Sequence, residues 1–406
     1  MMERRNLVEL WQQRGQQPAV LVTLAATSGS SYRRPGAHVL LLEDGQHKGT
    51  ISGGCLEAEV ARKAFWMTRS GGAMQRYSTL FDDTAEIPFG LGCGGQIDLL
   101  LEPADTPECA ALFAAMQTSL AGTSSTSITL LPAEEKPLQR LILAQDGSVL
   151  FASATLTPEE IQSFIQLTSE ENPSLVILSA AKDLYTHTSS VASFANREIY
   201  IEPLLPPQRL ILFGAGDDAQ PLTALAAQLG WTILIADGRA QFTRAGRFPA
   251  ASSVTLLAED LSIAPLHIAK DDAVVLMTHS YAQDRSLLAQ LLLLAPRYLA
   301  VLGARHRTSL LVSEVSAALG LSMEECAALI HAPAGFNLGG DAPESVALAI
   351  LAEAHARCFN RDGQPRRIDA AAMWQHLENA VRTGSPPLVC SIDSPFEAAK
   401  SDPQVK

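Results

Sequence analysis

Several things are scarce in this sequence, and each absence removes a class of function. Long apolar runs are missing. The most apolar stretch, around residues 287–294, is far too short to cross a bilayer, so no membrane association is expected. Positive charge is scarce: 30 Lys and Arg stand against 43 Asp and Glu, a formal net charge of −13. Binding a phosphate backbone needs clustered cations, so nucleic acid is not an expected partner. A basic pocket for one small anion stays open. The six cysteines, Cys55, Cys93, Cys109, Cys326, Cys358 and Cys390, show no Cys-x-x-Cys spacing. Neither a disulfide framework nor a zinc ribbon is indicated. The first residues lead into a polar amphipathic segment without an apolar signal region, so a cytoplasmic protein is expected.

The 47% of hydrophobic residues against 18% charged fits a globular chain with a large core. At 406 residues it is too long for one ordinary core. The patterning predicts an α/β protein with a mixed N-terminal α/β domain over 1–102. Residues 103–206 read as an irregular middle segment with an insertion at 170–195. A Rossmann-like, doubly wound parallel sheet is expected over 207–360, then, over 361–406, a helix at 369–382 and a disordered tail. The evidence for the parallel sheet is the alternation of continuous apolar strands, near 209–213, 232–236, 273–277 and 298–302, with helical patterns.

Two stretches carry chemistry in the first hundred residues. Gly49-Thr-Ile-Ser-Gly-Gly-Cys-Leu-Glu57 places Ser52, Gly53 and Gly54 before Cys55, at the start of a helical pattern. Small residues let a ligand reach the backbone, and a helix N-terminus favours a thiolate. Cys93 and Gly94 stand in a second glycine-rich stretch, Phe89 to Gly95. The alternative is a pair of buried turn cysteines. Arg33 and Arg34, in a loop ahead of the first stretch, can hold an anion or pair with a surface carboxylate. Glu57 reads as a first-turn compensation of the helix dipole.

Farther along, Gly214-Ala-Gly216 follows a strand and opens a helix, and Asp237 ends the next strand. That is the dinucleotide-binding arrangement in its proper context. Asp217 and Asp218 oppose it, because they stand where a pyrophosphate would accept backbone N–H groups. Arg239, His279, Arg305 and His331 fall at strand ends or in loops where ligands of such sheets sit.

Together with Tyr200-Ile-Glu-Pro203, Gly303-Ala-Arg305 and His331-Ala-Pro-Ala-Gly335, these motifs resemble the XdhC/CoxI family, accessory proteins of xanthine dehydrogenase and related molybdenum hydroxylases. The resemblance implies a chaperone that binds the molybdenum cofactor, a molybdopterin with or without a nucleotide. Such a protein supports sulfuration of the cofactor by a cysteine desulfurase and inserts it into an apo-hydroxylase. It also implies a homo-oligomer. The implied cofactor-binding set is Arg33, Arg34, Ser52, Gly53, Gly54, Cys55, Cys93, Gly94, Gly214, Gly216, Asp237, Arg239, His279, Arg305 and His331, with Cys55 as a molybdenum contact. The chain departs from the family pattern at Asp217-Asp218 and at Ala304. The competing reading is an NAD(P)-dependent oxidoreductase, which the two aspartates oppose; NAD(P) is not the expected cofactor.

Overall fold

The computed structural model describes residues 1–29, 31–54, 56–78, 95–133, 136–168, 176–177, 190–194, 197–365, 367, 369–371 and 373–375. The chain forms two compact units. One gathers 1–9, 114–125 and 204–365; the other gathers 10–113, 126–203 and 366–406. The predicted helix at 369–382 lies mostly outside the described residues.

The unit that holds most of the first two hundred residues contains two sheets. The first has β1 (Ala19–Ser28), β2 (His38–Leu42), β3 (His47–Gly49), β4 (Ala73–Ser78) and β5 (Gln96–Pro103), in the order β3-β2-β1-β5-β4. All its pairings are antiparallel. The β2–β3 hairpin turns at Asp44-Gly45, where Gly45 takes φ +88° and Asp44 Oδ1 accepts from Gln46 N at 2.9 Å. One face of the sheet packs Val20, Val22, Leu24, Val39 and Leu99 against Leu56, Val60 and Ala64 of the segment around α2 (Glu57–Met67).

The second sheet is not legible as a unit in the sequence. The region that reads as irregular holds β6 (Ser125–Leu130), β7 (Gln139–Ala144), β8 (Val149–Ala152), β9 (Val176–Ile177), β10 (Ser190–Phe194) and β11 (Arg197–Leu204). They line up as β8-β7-β6-β11-β10-β9. Apolar contact between the sheets is made by Ala25, Leu100, Leu131, Val191 and Tyr200. Two buried polar contacts run alongside. His38 Nε2 lies 2.8 Å from Glu202 Oε1, and Arg140 grips Glu102 with two bonds of 2.9 Å. Thr23 Oγ1 lies 2.9 Å from His38 Nδ1, so a ring protonated on Nε2 satisfies both partners.

The other unit is the expected doubly wound sheet. It consists of β12 (Arg209–Phe213), β13 (Thr232–Asp237), β14 (Ser253–Leu256), β15 (Ala273–Leu276) and β16 (Tyr298–Val301). All are parallel, in the order β14-β13-β12-β15-β16. β15 and β16 are buried throughout, because helices cover both faces. α5 (Ala219–Gln228) and α9 (Pro343–Cys358) cover one face; α6 (Tyr281–Leu294) and α7 (Arg305–Leu319) cover the other. The strand order reverses between β12 and β15, and ligands of such sheets enter at that reversal.

Candidate functional site

The glycine loop before α2 is organised by one carboxylate. Glu57 accepts from Ile51 N at 3.1 Å and from Ser52 N at 2.9 Å, and the hydroxyls of Thr50 and Ser52 press against its two oxygens. Burial opposes ionisation of Glu57, but these donors outweigh it and hold the carboxyl down at about 2. Ser52 Oγ also accepts from Gly54 N at 3.1 Å and from Leu56 N at 3.2 Å. The loop is therefore closed at its base, from Ser52 to Leu56. Reading Glu57 as dipole compensation alone misses this role. Its signal in the sequence is the pair of hydroxyl residues, Thr50 and Ser52, set seven and five positions earlier.

Gly54 takes φ +103°, and a Cβ built there meets nothing within 4 Å among the described residues. Gly54 lines a cleft of about 490 Å3 between the β2–β3 hairpin and α2. Leu41, Ala58, Ala61 and Phe65 give it an apolar wall, and His47 and Thr50 stand along it. The loop after β1 reaches the same stretch: the Tyr32 ring lies 3.9 Å from a Cβ built on Gly53. Next to it Arg33 is half-buried and Arg34 is exposed. The structure thus brings the arginine loop and the glycine loop together. Cys55, Cys93 and Gly94 lie outside the described residues.

In the parallel-sheet unit, Gly214, Gly216, Asp237, Arg239 and His279 gather at the C-terminal ends of β12, β13 and β15. Gly214 takes φ +121°, and a Cβ there would stand 2.9 Å from Thr278 N and closer still to the Met277 carbonyl. Only glycine fits that approach. Asp237 is fully buried. It accepts from Ala215 N at 2.8 Å and Arg239 N at 2.9 Å, and from the Arg239 guanidinium at 2.9 and 2.7 Å. Burial works against its charge, but Arg239 and the two backbone donors prevail and keep its pKa below the ordinary carboxylate value. Its oxygens therefore hold the glycine turn and Arg239. In dinucleotide-binding sheets an acid at this position accepts from a ribose hydroxyl.

The two aspartates of the turn are also engaged. Arg247 donates to Asp217 Oδ1 at 2.6 Å and to the Ala215 carbonyl at 2.6 Å. His279 Nε2 lies 2.7 Å from Asp218 Oδ2, and His279 holds a left-handed φ of +60°. Below them Thr278 Oγ1 donates to buried Asp284 at 2.6 Å, and Arg307 donates to its other oxygen at 2.7 Å. Arg305 opens α7 and is exposed, with no side-chain partner among the described residues.

His331 sits apart from this group, alongside β16 at the sheet edge. Its backbone pairs with Val301 and Leu299. Its Nδ1 lies 3.0 Å from Glu353, which also accepts from Tyr298 Oη at 2.8 Å and Gly335 N at 2.9 Å. These contacts fasten the 331–335 loop to α9. Among the described residues, no group of three His, Cys, Asp or Glu side chains could hold a metal ion, and no helix is long and apolar enough to cross a membrane.

Comparison with known proteins places this arrangement. Residues 210–354 match the XdhC Rossmann domain, and residues 11–78 match the XdhC and CoxI family. The chain belongs to the XdhC/CoxI family. It is 26% identical over 341 residues to a Bacillus subtilis protein named as a probable xanthine dehydrogenase subunit, spanning 83% of this chain and 92% of that one. It is 27% identical over 336 residues to the molybdenum cofactor insertion chaperone PaoD of Escherichia coli, 82% of each chain. A crystal structure from Bacillus halodurans, described as a xanthine dehydrogenase, superposes with a TM-score of 0.69 at 24% identity. It covers 90% of this chain and 98% of that one and shows the shared fold. The glycine motifs at 49–57 and 214–216 of this XdhC/CoxI chain fall inside the matched segments.

Proposed function

We propose that this protein is an accessory chaperone that binds the molybdenum cofactor and inserts it into a molybdenum hydroxylase of the xanthine dehydrogenase type. The observation that carries the reading is the loop at 50–57, prearranged by Glu57 and open toward a cleft at Gly54. A preformed loop loses little conformational freedom when a ligand arrives. The names of the relatives from B. subtilis and E. coli point the same way.

The residues fit such a group. Arg33 and Arg34 supply forked donors for its phosphate, with or without an attached nucleotide. The backbone at Gly54 is accessible to a flat ring system, and the Tyr32 ring stands beside Gly53. Cys55 supplies a soft sulfur suited to molybdenum or to transferable sulfur. When bound, the cofactor supplies a molybdenum centre on a pterin dithiolene. The chain itself binds, orients and shields it while a cysteine desulfurase acts, then passes it to the apo-hydroxylase. In this reading the chain works in the cytoplasm as a homo-oligomer, turns over no substrate and does not use NAD(P). The full engagement of Asp237 supports the last point, since it has no oxygen directed to a ribose.

Anaerobic purification after co-expression with cofactor synthesis tests the proposal, with molybdenum and released pterin as readouts. Near-stoichiometric amounts of both are expected for the wild type. Cys55→Ser is expected to fold with stability within about 0.5 kcal/mol of wild type, and to retain several-fold less molybdenum. Wild type without pterin overturns the reading. A Cys55→Ser variant that retains as much molybdenum as wild type removes the thiol from the site and leaves the glycines to carry it.

A further inference from the structure

Nothing in the fold requires glycine at position 53. The φ of Gly53 lies outside the left-handed region that favours glycine. Crowding does not require it either. Among the described residues, the atoms nearest to a Cβ built on Gly53 are Tyr32 Cδ1 at 3.9 Å and Tyr32 Cε1 and Cγ at 4.0 Å. Those are ordinary contact distances. Alanine would fill the space and touch the ring. Glycine leaves it empty, a slot one carbon wide between the Tyr32 ring and the loop backbone.

The same three distances show how the ring is turned. Cγ, Cδ1 and Cε1 are consecutive atoms, and a position beyond the ring's edge would be clearly nearer to the middle one than to its neighbours. Their near equality puts the Gly53 position over the face of the ring. Both walls of the slot are braced through their backbones. Ser31 Oγ donates to the Arg33 carbonyl at 2.8 Å, spanning Tyr32, and Ala37 N donates to the Arg34 carbonyl at 3.2 Å. Opposite, Ser52 N donates to Glu57, and Gly54 N donates to Ser52 Oγ. The Tyr32 side chain itself is 73% exposed and can change rotamer quickly. An aromatic face thus stands opposite bare, exposed backbone, and Arg33 and Arg34 follow it directly in the chain.

We propose that the slot between the Tyr32 ring and Gly53 takes a flat heteroaromatic ring, the pterin of the molybdenum cofactor. This rests on the cofactor reading of the 50–57 loop given above. One face of the pterin stacks on Tyr32, and the other lies on the backbone at Gly53. Each face needs about 3.5–4.0 Å, so Tyr32 draws back as the ring enters. Arg33 and Arg34, next on the same loop, receive the phosphate attached to the pterin. Position 53 is therefore glycine for the bound state, and Tyr32 selects for planar rings.

Two measurements on the full chain test this. Wild type, Gly53→Ala, Tyr32→Leu and Tyr32→Phe are purified anaerobically after co-expression with cofactor synthesis, and released pterin is counted. The same proteins, freed of cofactor, are titrated with 6-hydroxymethylpterin, whose fluorescence a stacked tyrosine quenches. Tyr32→Phe keeps the ring face and should match wild type within about twofold in retention and affinity. Tyr32→Leu keeps an apolar cover without a stacking face and should lose about tenfold, the scale of one ring stacked on one aromatic side chain. Gly53→Ala should lose as much while melting no lower than wild type, because its methyl group clashes with no described residue and imposes no left-handed strain. Retention of pterin by Gly53→Ala or Tyr32→Leu at the wild-type level overturns the slot and leaves the cofactor reading standing. Wild type that carries no pterin overturns the cofactor reading. Quenching of the free probe that is lost in Tyr32→Leu would still support the slot in that case, and no quenching by wild type overturns it.

Discussion

The two glycine turns of this protein are built alike and end differently. Each is held by one buried carboxylate that accepts backbone N–H groups: Glu57 from Ile51 and Ser52, Asp237 from Ala215 and Arg239. Around Gly54 there is a cleft and, among the described residues, open space; around Gly214 there is backbone, and over Gly216 lies Asp218. The same device thus makes an exposed platform in one unit and a packed joint in the other. What differs is which neighbour comes close. Hence a glycine-rich turn is not evidence of an accessible site until its surroundings are known.

Adding one methyl group separates the two turns most sharply. Gly214→Ala forces a Cβ into the Met277 carbonyl and imposes φ +121° on an L residue. Overpacking against rigid backbone and left-handed strain together should cost about 3–5 kcal/mol. The first turn of the sheet cannot move away without breaking the bond from Gly214 N to the Ala236 carbonyl. Urea unfolding should show the loss in the parallel-sheet unit. A loss of no more than about 1–2 kcal/mol, the strain alone, would mean that the turn is as open as the one at Gly54.

The next effect comes from the carboxylate. Glu57 has its pKa lowered from 4.5 to about 2, so folding favours its ionised form. That contribution is on the order of 3 kcal/mol above the ordinary carboxylate pKa. It is present at neutral pH and decays as pH falls from about 4.5 toward about 2. Glu57→Gln should therefore destabilise the chain at pH 7, and the gap to wild type should narrow below pH 4.5 and close near pH 2. Denaturation midpoints of both proteins across that range check the sign. Amide hydrogen exchange at Ile51 and Ser52 should quicken in the variant even at neutral pH. Unchanged exchange there would separate Glu57 from the loop it is argued to hold.

The contrast between the turns is only half visible in the sequence. Continuous apolar strands make the parallel sheet legible, and Gly214 and Asp237 fall into place on it. Other parts depend on partners distant in the chain. His38 meets Glu202 across 164 positions, and Glu102 meets Arg140 across 38. Neither pairing has a local pattern. β6 reads partly as a linker, because Ser125-Thr-Ser-Ile-Thr-Leu130 opens with the small polar residues that also make turns. β3 and β9 are too short, at 3 and 2 residues, for an alternating pattern. His331 reads from its surroundings as a satisfied loop histidine, and only the resemblance puts it in the cofactor set; nothing nearby in the sequence announces Glu353, which binds it from α9.

The smallest effect on stability is expected at Gly54, and it is the one that bears most on function. Gly54→Ala puts a methyl group where nothing stands within 4 Å among the described residues, so no clash with them follows. What remains is the strain of φ +103° in an L residue, about 1–2 kcal/mol. The bond from Gly54 N to Ser52 Oγ can persist, because the methyl group displaces no described partner. The variant should therefore fold and melt slightly below wild type. Yet Gly54 lines the cleft assigned above to the cofactor. A methyl group there holds a flat ligand off the backbone. Cofactor retention should fall several-fold, far out of proportion to the change in melting temperature. If Gly54→Ala retains the cofactor as wild type does, the open face at Gly54 is not the binding face, and the loop must present its other side.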